Sequence, residues 1–374
     1  MEHAHTIGQG IAKNTFRWRG LKPGTWHIKI AFAVFIVALV GLGTSAMAED
    51  DVWSVGPLQI PPPAGASVEL KKSIAATSQP DIAKAASVTF KSDADWTRLT
   101  DPLDKASSVS NMELAEKWAV NISEKRIADV AVFMVTPAKI DPELANKMFV
   151  HTHGGAFVLN AGRAGLREAI LIANNIGIPV LSVDYRMPPK HPFPASVDDV
   201  VAVWKHLLKT RLASTMAIGG TSAGGNLALA SVLRLQELKL DLPAVVMAST
   251  PWADLTKTGD SYYTHAGVDR VLVTYEGVLA AAAKAYANGR DLKSPLISPV
   301  YGDYTGFPPV ILFSGTRDLF LSGTVRTHRR MRAANVQAEL HVFEAMSHAN
   351  WTILTDLPES RAFTSELGAF LKRH

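Results

Sequence analysis

The segment Gly220-Thr221-Ser222-Ala223-Gly224 joins residue types that suit a reactive serine. A nucleophile at a tight strand-to-helix turn has a strained backbone and crowded neighbours, and glycines two residues before and after it permit that turn. The flanking sequence supplies the right context. The apolar run Met216-Ala217-Ile218 comes before, and a long helical pattern from Ala223 to about Leu238 comes after. A helix beginning there leaves free N–H groups close to any negative charge that develops beside Ser222. By itself the pentapeptide also fits a plain glycine turn, so its meaning depends on partners.

A serine nucleophile needs a base, and the base needs an acid to orient it. Of the twelve histidines, His348 stands out because Glu344-Ala345-Met346-Ser347-His348 follows the last expected strand. Asp318 follows the penultimate one, in Ser314-Gly315-Thr316-Arg317-Asp318. Alone, Asp318 reads as a helix cap and His348 as a loop histidine. Together, in the order Ser…Asp…His and at strand ends, they read as one catalytic set. The third element is His151-Thr152-His153-Gly154-Gly155-Ala156, again just after a strand. Consecutive glycines let backbone N–H groups approach an oxyanion, so Gly154 and Gly155 are the expected donors, joined by the N–H of Ala223. Losing one such donor costs about 10²–10³ in turnover. His151 and His153 would share one strand face, as a metal pair could, but no third ligand has a clear spacing and no metal is expected.

These loops need a scaffold that presents strand ends along one edge. Strands are expected at 118–123 and 127–135, then at 148–150, 178–183, 216–218, 244–247, 310–313 and 338–343. Helical patterns fall at 66–77, 112–118, 164–175, 197–208, 223–238, 323–334 and 358–372. Such alternation predicts an α/β fold: a mostly parallel sheet with helices on both faces. Residues 256–290 interrupt the rhythm with tyrosines and an alanine-rich run at 279–287, and read as an inserted helical cap. Phe157, Trp252, Tyr262 and Tyr263 are the aromatic candidates for pocket walls, although aromatics in such segments more often belong to the core.

An apolar share of 47% and a charged share of 19% suit a globular enzyme with a large core. The net charge of +4 is a local feature: residues 1–48 hold five basic side chains and Glu2. With those set aside, 33 of the 38 basic and 33 of the 34 acidic side chains remain, so the body is neutral and no nucleic-acid partner is implied. The basic stretch ending at Lys29, the 14-residue apolar run 30–43 and Ala46-Met47-Ala48 predict an export signal cleaved before Glu49. The run falls short of the roughly 18 residues expected of a membrane span, with an uncleaved anchor as the other reading. A proline-rich arm follows at 49–65. The expected organisation is therefore a signal peptide at 1–48, an arm and cap helices at 49–117, and a catalytic domain at 118–374. With no cysteine, the chain has no thiol nucleophile, thiolate metal site or disulfide.

His153-Gly154-Gly155-Ala156 and Gly220-Thr221-Ser222-Ala223-Gly224-Gly225-Asn226-Leu227-Ala228 together resemble the hormone-sensitive-lipase-like esterases, the bacterial family IV. Asp184-Tyr185-Arg186-Met187-Pro188-Pro189-Lys190-His191-Pro192-Phe193-Pro194-Ala195 and Ser294-Pro295-Leu296-Ile297-Ser298-Pro299 are also similar to that family, and the likeness runs from about residue 118 to the C-terminus. The resemblance implies an α/β-hydrolase core under a helical cap, a triad of Ser222, Asp318 and His348, and no cofactor. It implies a small-molecule ester as substrate and allows a homodimer paired through the strand at 338–343. Departures are Ala156 for a commoner third glycine, Thr221 for a frequent aspartate, Pro189-Lys190 where a glutamate is usual, and Asp318-Leu319 for aspartate-proline. None removes a catalytic group. The same triad also serves amides, lactones and carbonates, and a non-catalytic binding role is disfavoured by its completeness.

Overall fold

Alternate side chains of the central strands enter two separate apolar cores. In the computed structural model, which describes residues 55–56 and 59–374, eight strands form one sheet. They are β1 (Asn121–Ile127), β2 (Val130–Thr136), β3 (Met148–Thr152), β4 (Val180–Asp184), β5 (Met216–Thr221), β6 (Val245–Ser249), β7 (Val310–Gly315) and β8 (Ala338–Phe343). Their spatial order is β1-β2-β4-β3-β5-β6-β7-β8. β2 pairs antiparallel with both β1 and β4, and all other pairs are parallel. The residues of the apolar run 30–43 and the expected cleavage site lie outside the described residues.

The helices are α1 (Val68–Ala76), α2 (Ile82–Ala86), α3 (Asp93–Lys117), α4 (Arg167–Ile176), α5 (Ala195–Leu207), α6 (Ala223–Glu237), α7 (Ser261–Thr264), α8 (Val278–Ala287), α9 (Leu321–Ala333), α10 (Asn350–Ile353) and α11 (Pro358–Arg373). Val150, Ile218, Val246 and Leu312 pack with Trp204 of α5, Leu229 of α6 and Met331 of α9. Their neighbours Phe149, Ala217, Val245 and Phe313 face the other way, toward Ile170 of α4 and Phe363 and Phe370 of α11. The two-residue period of a strand thus serves both faces, which is why β3, β5, β6 and β7 are buried along their whole length.

The N-terminal boundaries differ from expectation. β1 starts at Asn121, not at residue 118, and runs through Glu124-Lys125-Arg126 to Ile127. As an edge strand it keeps those charged side chains in solvent, so its composition gives no strand signal. The helix expected at 112–118 is the tail of the 25-residue α3, which ends at Lys117 with Trp118 as its cap. Pro102 and several serines hide the first part of that helix from a propensity reading. Its start is nonetheless marked: the Asp95 carboxylate accepts from the backbone N–H groups of Lys91 (2.9 Å) and Ser92 (3.0 Å). Between β6 and β7, residues 256–290 hold α7 and α8 with non-helical chain between them. Among the described residues no helix is long and apolar enough to cross a membrane.

Candidate active site

β5 ends at Thr221 and α6 begins at Ala223, so one residue makes the whole turn. That residue, Ser222, has φ 63° and ψ −123°, a conformation that costs a non-glycine residue about 1–3 kcal/mol. Surrounding bonds hold it there. Its N–H donates to Ser249 O (2.9 Å), and its carbonyl accepts from Trp252 N and Asn226 N (3.0 Å each). A Cβ at Gly220 or at Gly224 would stand 1.9 Å from Thr152 O, so the flanking glycines are imposed by the backbone of β3. Asn226, one turn into α6, donates to Trp252 O and Ile297 O (2.8 Å each) and ties the segment 294–299 to the same turn.

His348 lies in the loop after β8, and its Nδ1 is 3.1 Å from Asp318 Oδ1. Because the carboxylate only accepts, that nitrogen carries the proton and Nε2 keeps its lone pair. Asp318 is fully buried and also accepts from Phe320 N (2.9 Å) and Ser314 Oγ (2.7 Å). Burial would raise its carboxyl, but the interaction with His348 and these hydrogen bonds outweigh it and leave the group below the usual carboxylate value. Thr250 Oγ1 approaches the same Nδ1 at 2.5 Å, and the Phe320 ring stands edge-on to the imidazole. A second buried carboxylate, Asp269, accepts from Leu319 N (2.8 Å), Val271 N (2.9 Å) and Leu272 N (3.2 Å). Burial, followed by the nearby Asp318 charge, raises it.

Gly154 and Gly155 form the loop after β3. A Cβ on Gly154 would lie 2.9 Å from Thr221 O and 3.5 Å from the Ser222 Cβ, which places this loop against the Ser222 turn. Gly155 has φ +119°, open only to glycine, and Ala156 and Phe157 follow at φ 52° and 64°. Peptide planarity then sets the direction of both N–H groups. His153 O accepts from the Tyr185 hydroxyl (2.6 Å), which turns the Gly154 N–H the opposite way. Gly154 O accepts from His153 Nδ1 (2.8 Å) and Asn160 Nδ2 (3.1 Å), which does the same for the Gly155 N–H. Neither N–H donates to a protein group among the described residues, and that of Ala223 has no intrahelical acceptor at the start of α6.

Ser222, His348, Gly154 and Gly155 line one cavity of about 850 Å³. No hydrogen bond joins Ser222 to His348 among the described residues; such bonds often close only around substrate. The far walls come from Leu99, Leu103 and Ala106 of α3, the segment Val271-Leu272-Val273, and Leu279 of α8. The aromatic candidates are elsewhere. Phe157, Trp252 and Tyr262 are core residues, Phe157 stacked on Tyr286 and Trp252 on Phe320, while Tyr263 is 61% exposed. His151 meets Glu168 (3.0 Å) and Ser182 (2.9 Å), and His153 stacks on Tyr185. Tyr185, Asn160, Thr250 and Glu168 were not singled out by the sequence. Of these only Tyr185 stood in a motif, the strand-end segment that starts at Asp184.

A family model described as the alpha/beta hydrolase fold matches residues 149–352, more than half of the chain. An acetyl-hydrolase of Streptomyces hygroscopicus is 30% identical over 239 residues, 64% of this chain and 78% of that protein. An esterase of Acinetobacter venetianus is 27% identical over 229 residues, 60% of this chain and 75% of its own length. Among solved structures, esterase E25 matches with a TM-score of 0.85 and 46% identity over 87% of this chain and 99% of that one. An esterase of the bacterial hormone-sensitive lipase family matches with a TM-score of 0.68 and 29% identity, covering 78% and 95%. The chain therefore belongs to the α/β-hydrolase fold family, within the hormone-sensitive-lipase-like family IV esterases, and is a carboxylic ester hydrolase.

Proposed function

We propose that the chain hydrolyses short-to-medium-chain carboxylic esters through an acyl-enzyme formed on Ser222. The observation that carries this reading is the meeting, at one cavity, of a strained serine and a histidine whose Nδ1–H is held by a buried carboxylate. His348 Nε2 takes the Ser222 proton as the oxygen attacks the ester carbonyl. The N–H groups of Gly154, Gly155 and Ala223 hold the oxyanion. His348 then protonates the departing alcohol and deprotonates the water that releases the acid, while Asp318 stabilises the imidazolium.

A largely apolar cavity of this size suits an acyl chain or a small alcohol. The Streptomyces relative's description as an acetyl-hydrolase favours the short end of the range. The α2–α3 region and residues 256–290 act as the cap that closes the cavity. We further infer export with removal of residues 1–48, which the intact mass of the exported protein checks; retention of those residues would refute it.

The deciding experiment is hydrolysis of p-nitrophenyl acetate, butyrate and decanoate by protein starting at Glu49, beside Ser222→Ala. Activity in the parent and background in the variant supports the reading. Equal activity in both rejects Ser222, and inactivity of both points to an amide, lactone or carbonate substrate.

A further inference from the structure

Thr221, the residue before the candidate nucleophile, gives both of its donors to one side chain. Its N–H reaches Glu168 Oε2 at 3.0 Å and its hydroxyl reaches Oε1 at 2.5 Å. His151 Nε2 meets Oε2 at 3.0 Å, and His151 Nδ1 lies 2.9 Å from Ser182 Oγ. All four side chains are at least nine-tenths buried and all their polar atoms are partnered. The mechanism above uses none of them.

Position 221 is where two functional loops meet. It directly precedes Ser222, whose φ is 63°, and its carbonyl oxygen would stand 2.9 Å from a Cβ on Gly154. A displacement of Thr221 therefore moves the nucleophile and an oxyanion donor together. We propose that Glu168 is a positioning residue that fixes Thr221, and that the hydroxyl at 221 is matched to that carboxylate. This rests on Ser222 being the nucleophile.

The role is one of bonding rather than charge. In Glu168→Gln the amide oxygen can take the place of Oε2, accepting from the Thr221 N–H and from His151. The NH₂ can take the place of Oε1 and donate to the Thr221 hydroxyl. Glu168→Ala removes every bond. Because Glu168 and Thr221 both line the cavity, water can reach the freed groups and the fold can survive, with a looser turn. Thr221→Asp sets two carboxylates within hydrogen-bond distance, where both cannot ionise comfortably. Adding Glu168→Gln restores a donor–acceptor pair.

The test is kcat and KM for p-nitrophenyl butyrate in E168A, E168Q, T221D, T221D/E168Q and S222A, each first shown by thermal melting to be folded. We expect E168A to lose about tenfold to a hundredfold in kcat, the scale of a misplaced reacting group, with KM nearly unchanged. E168Q recovers most of that loss, and T221D/E168Q exceeds T221D. Wild-type kcat in E168A overturns the proposal, as does an equal fall in E168A and E168Q or a double variant no better than T221D. If E168A does not fold, E168Q and the double variant decide. Activity in S222A would instead sink the nucleophile assignment.

Discussion

Asp318 and Thr250 reach the same nitrogen of His348, Oδ1 at 3.1 Å and Oγ1 at 2.5 Å. Only one of them carries charge, and the distinction separates their roles. In the proposed mechanism the carboxylate stabilises the imidazolium formed when Ser222 gives up its proton, whereas the hydroxyl can only help orient the ring. Asp318→Asn preserves the shape and the Phe320 and Ser314 bonds, and should lower kcat by about 10²–10⁴. Thr250→Val should cost less than about tenfold, the scale of one neutral hydrogen bond. A larger loss in T250V than in D318N would show that the acid has been assigned to the wrong residue.

The glycines make a second, sharper contrast. Gly224→Ala drives a Cβ to 1.9 Å from Thr152 O, and relief requires the Ser222 turn or β3 to move. The variant should lose nearly all activity even where it folds. Gly323, in the first turn of α9, has nothing within 4 Å of an added Cβ and no left-handed φ. Gly323→Ala should stabilise by about 0.5–1 kcal/mol, read as a shift in the urea midpoint at unchanged slope. Destabilisation by G323A would mean that α9 packs more tightly there than the geometry shows.

His153 makes stability depend on pH. Its ring is buried against Tyr185, and burial lowers it to about 4 from an ordinary value of 6.5, with His151 adding to the effect and the Gly154 bond opposing it. The folded protein keeps the ring neutral where the unfolded chain protonates it. Its contribution is thus complete above pH 6.5 and is lost as the pH falls from 6.5 toward 4. A shift of this size corresponds to about 3 kcal/mol. Urea unfolding at pH 7 and pH 4 should show a smaller acid loss in His153→Asn than in the parent. Identical losses would place the acid sensitivity elsewhere.

Most of this site could be read along the chain because its conspicuous parts are local. Two glycines around Ser222, two in a row after His153, and polar residues at the ends of β7 and β8 are features of short segments. Their convergence follows once the strands are parallel, since all those ends then share one edge. Glu168 belongs to a different category. It sits in α4, 53 residues from Thr221, in a helix whose amphipathic pattern gives no hint that one carboxylate faces inward. Thr250 and Asn160 are equally silent, each defined by a partner distant in sequence or by a left-handed backbone. The aromatic candidates fall in the core, as such residues more often do, for a physical reason as well. Large aromatics near the glycine loops satisfy the core, whereas the wall is built from aliphatic and small residues on α3, the helix that Pro102 disguises.

That wall makes the last prediction. Leu99 and Leu103 lie one turn apart on α3, and both face the cavity that contains Ser222. If the acyl chain extends toward α3, enlarging Leu99 shortens the space available to it without touching the reacting groups. Leu99→Trp should then cut kcat/KM for p-nitrophenyl decanoate far more than for the acetate, by about tenfold in the ratio, as a steric block within an apolar pocket does. The measurement is the three-ester series on parent and variant. A fall shared equally by all esters would mean that α3 bounds the alcohol side or the entrance, and that the acyl chain runs instead toward Val271-Leu272-Val273 and Leu279.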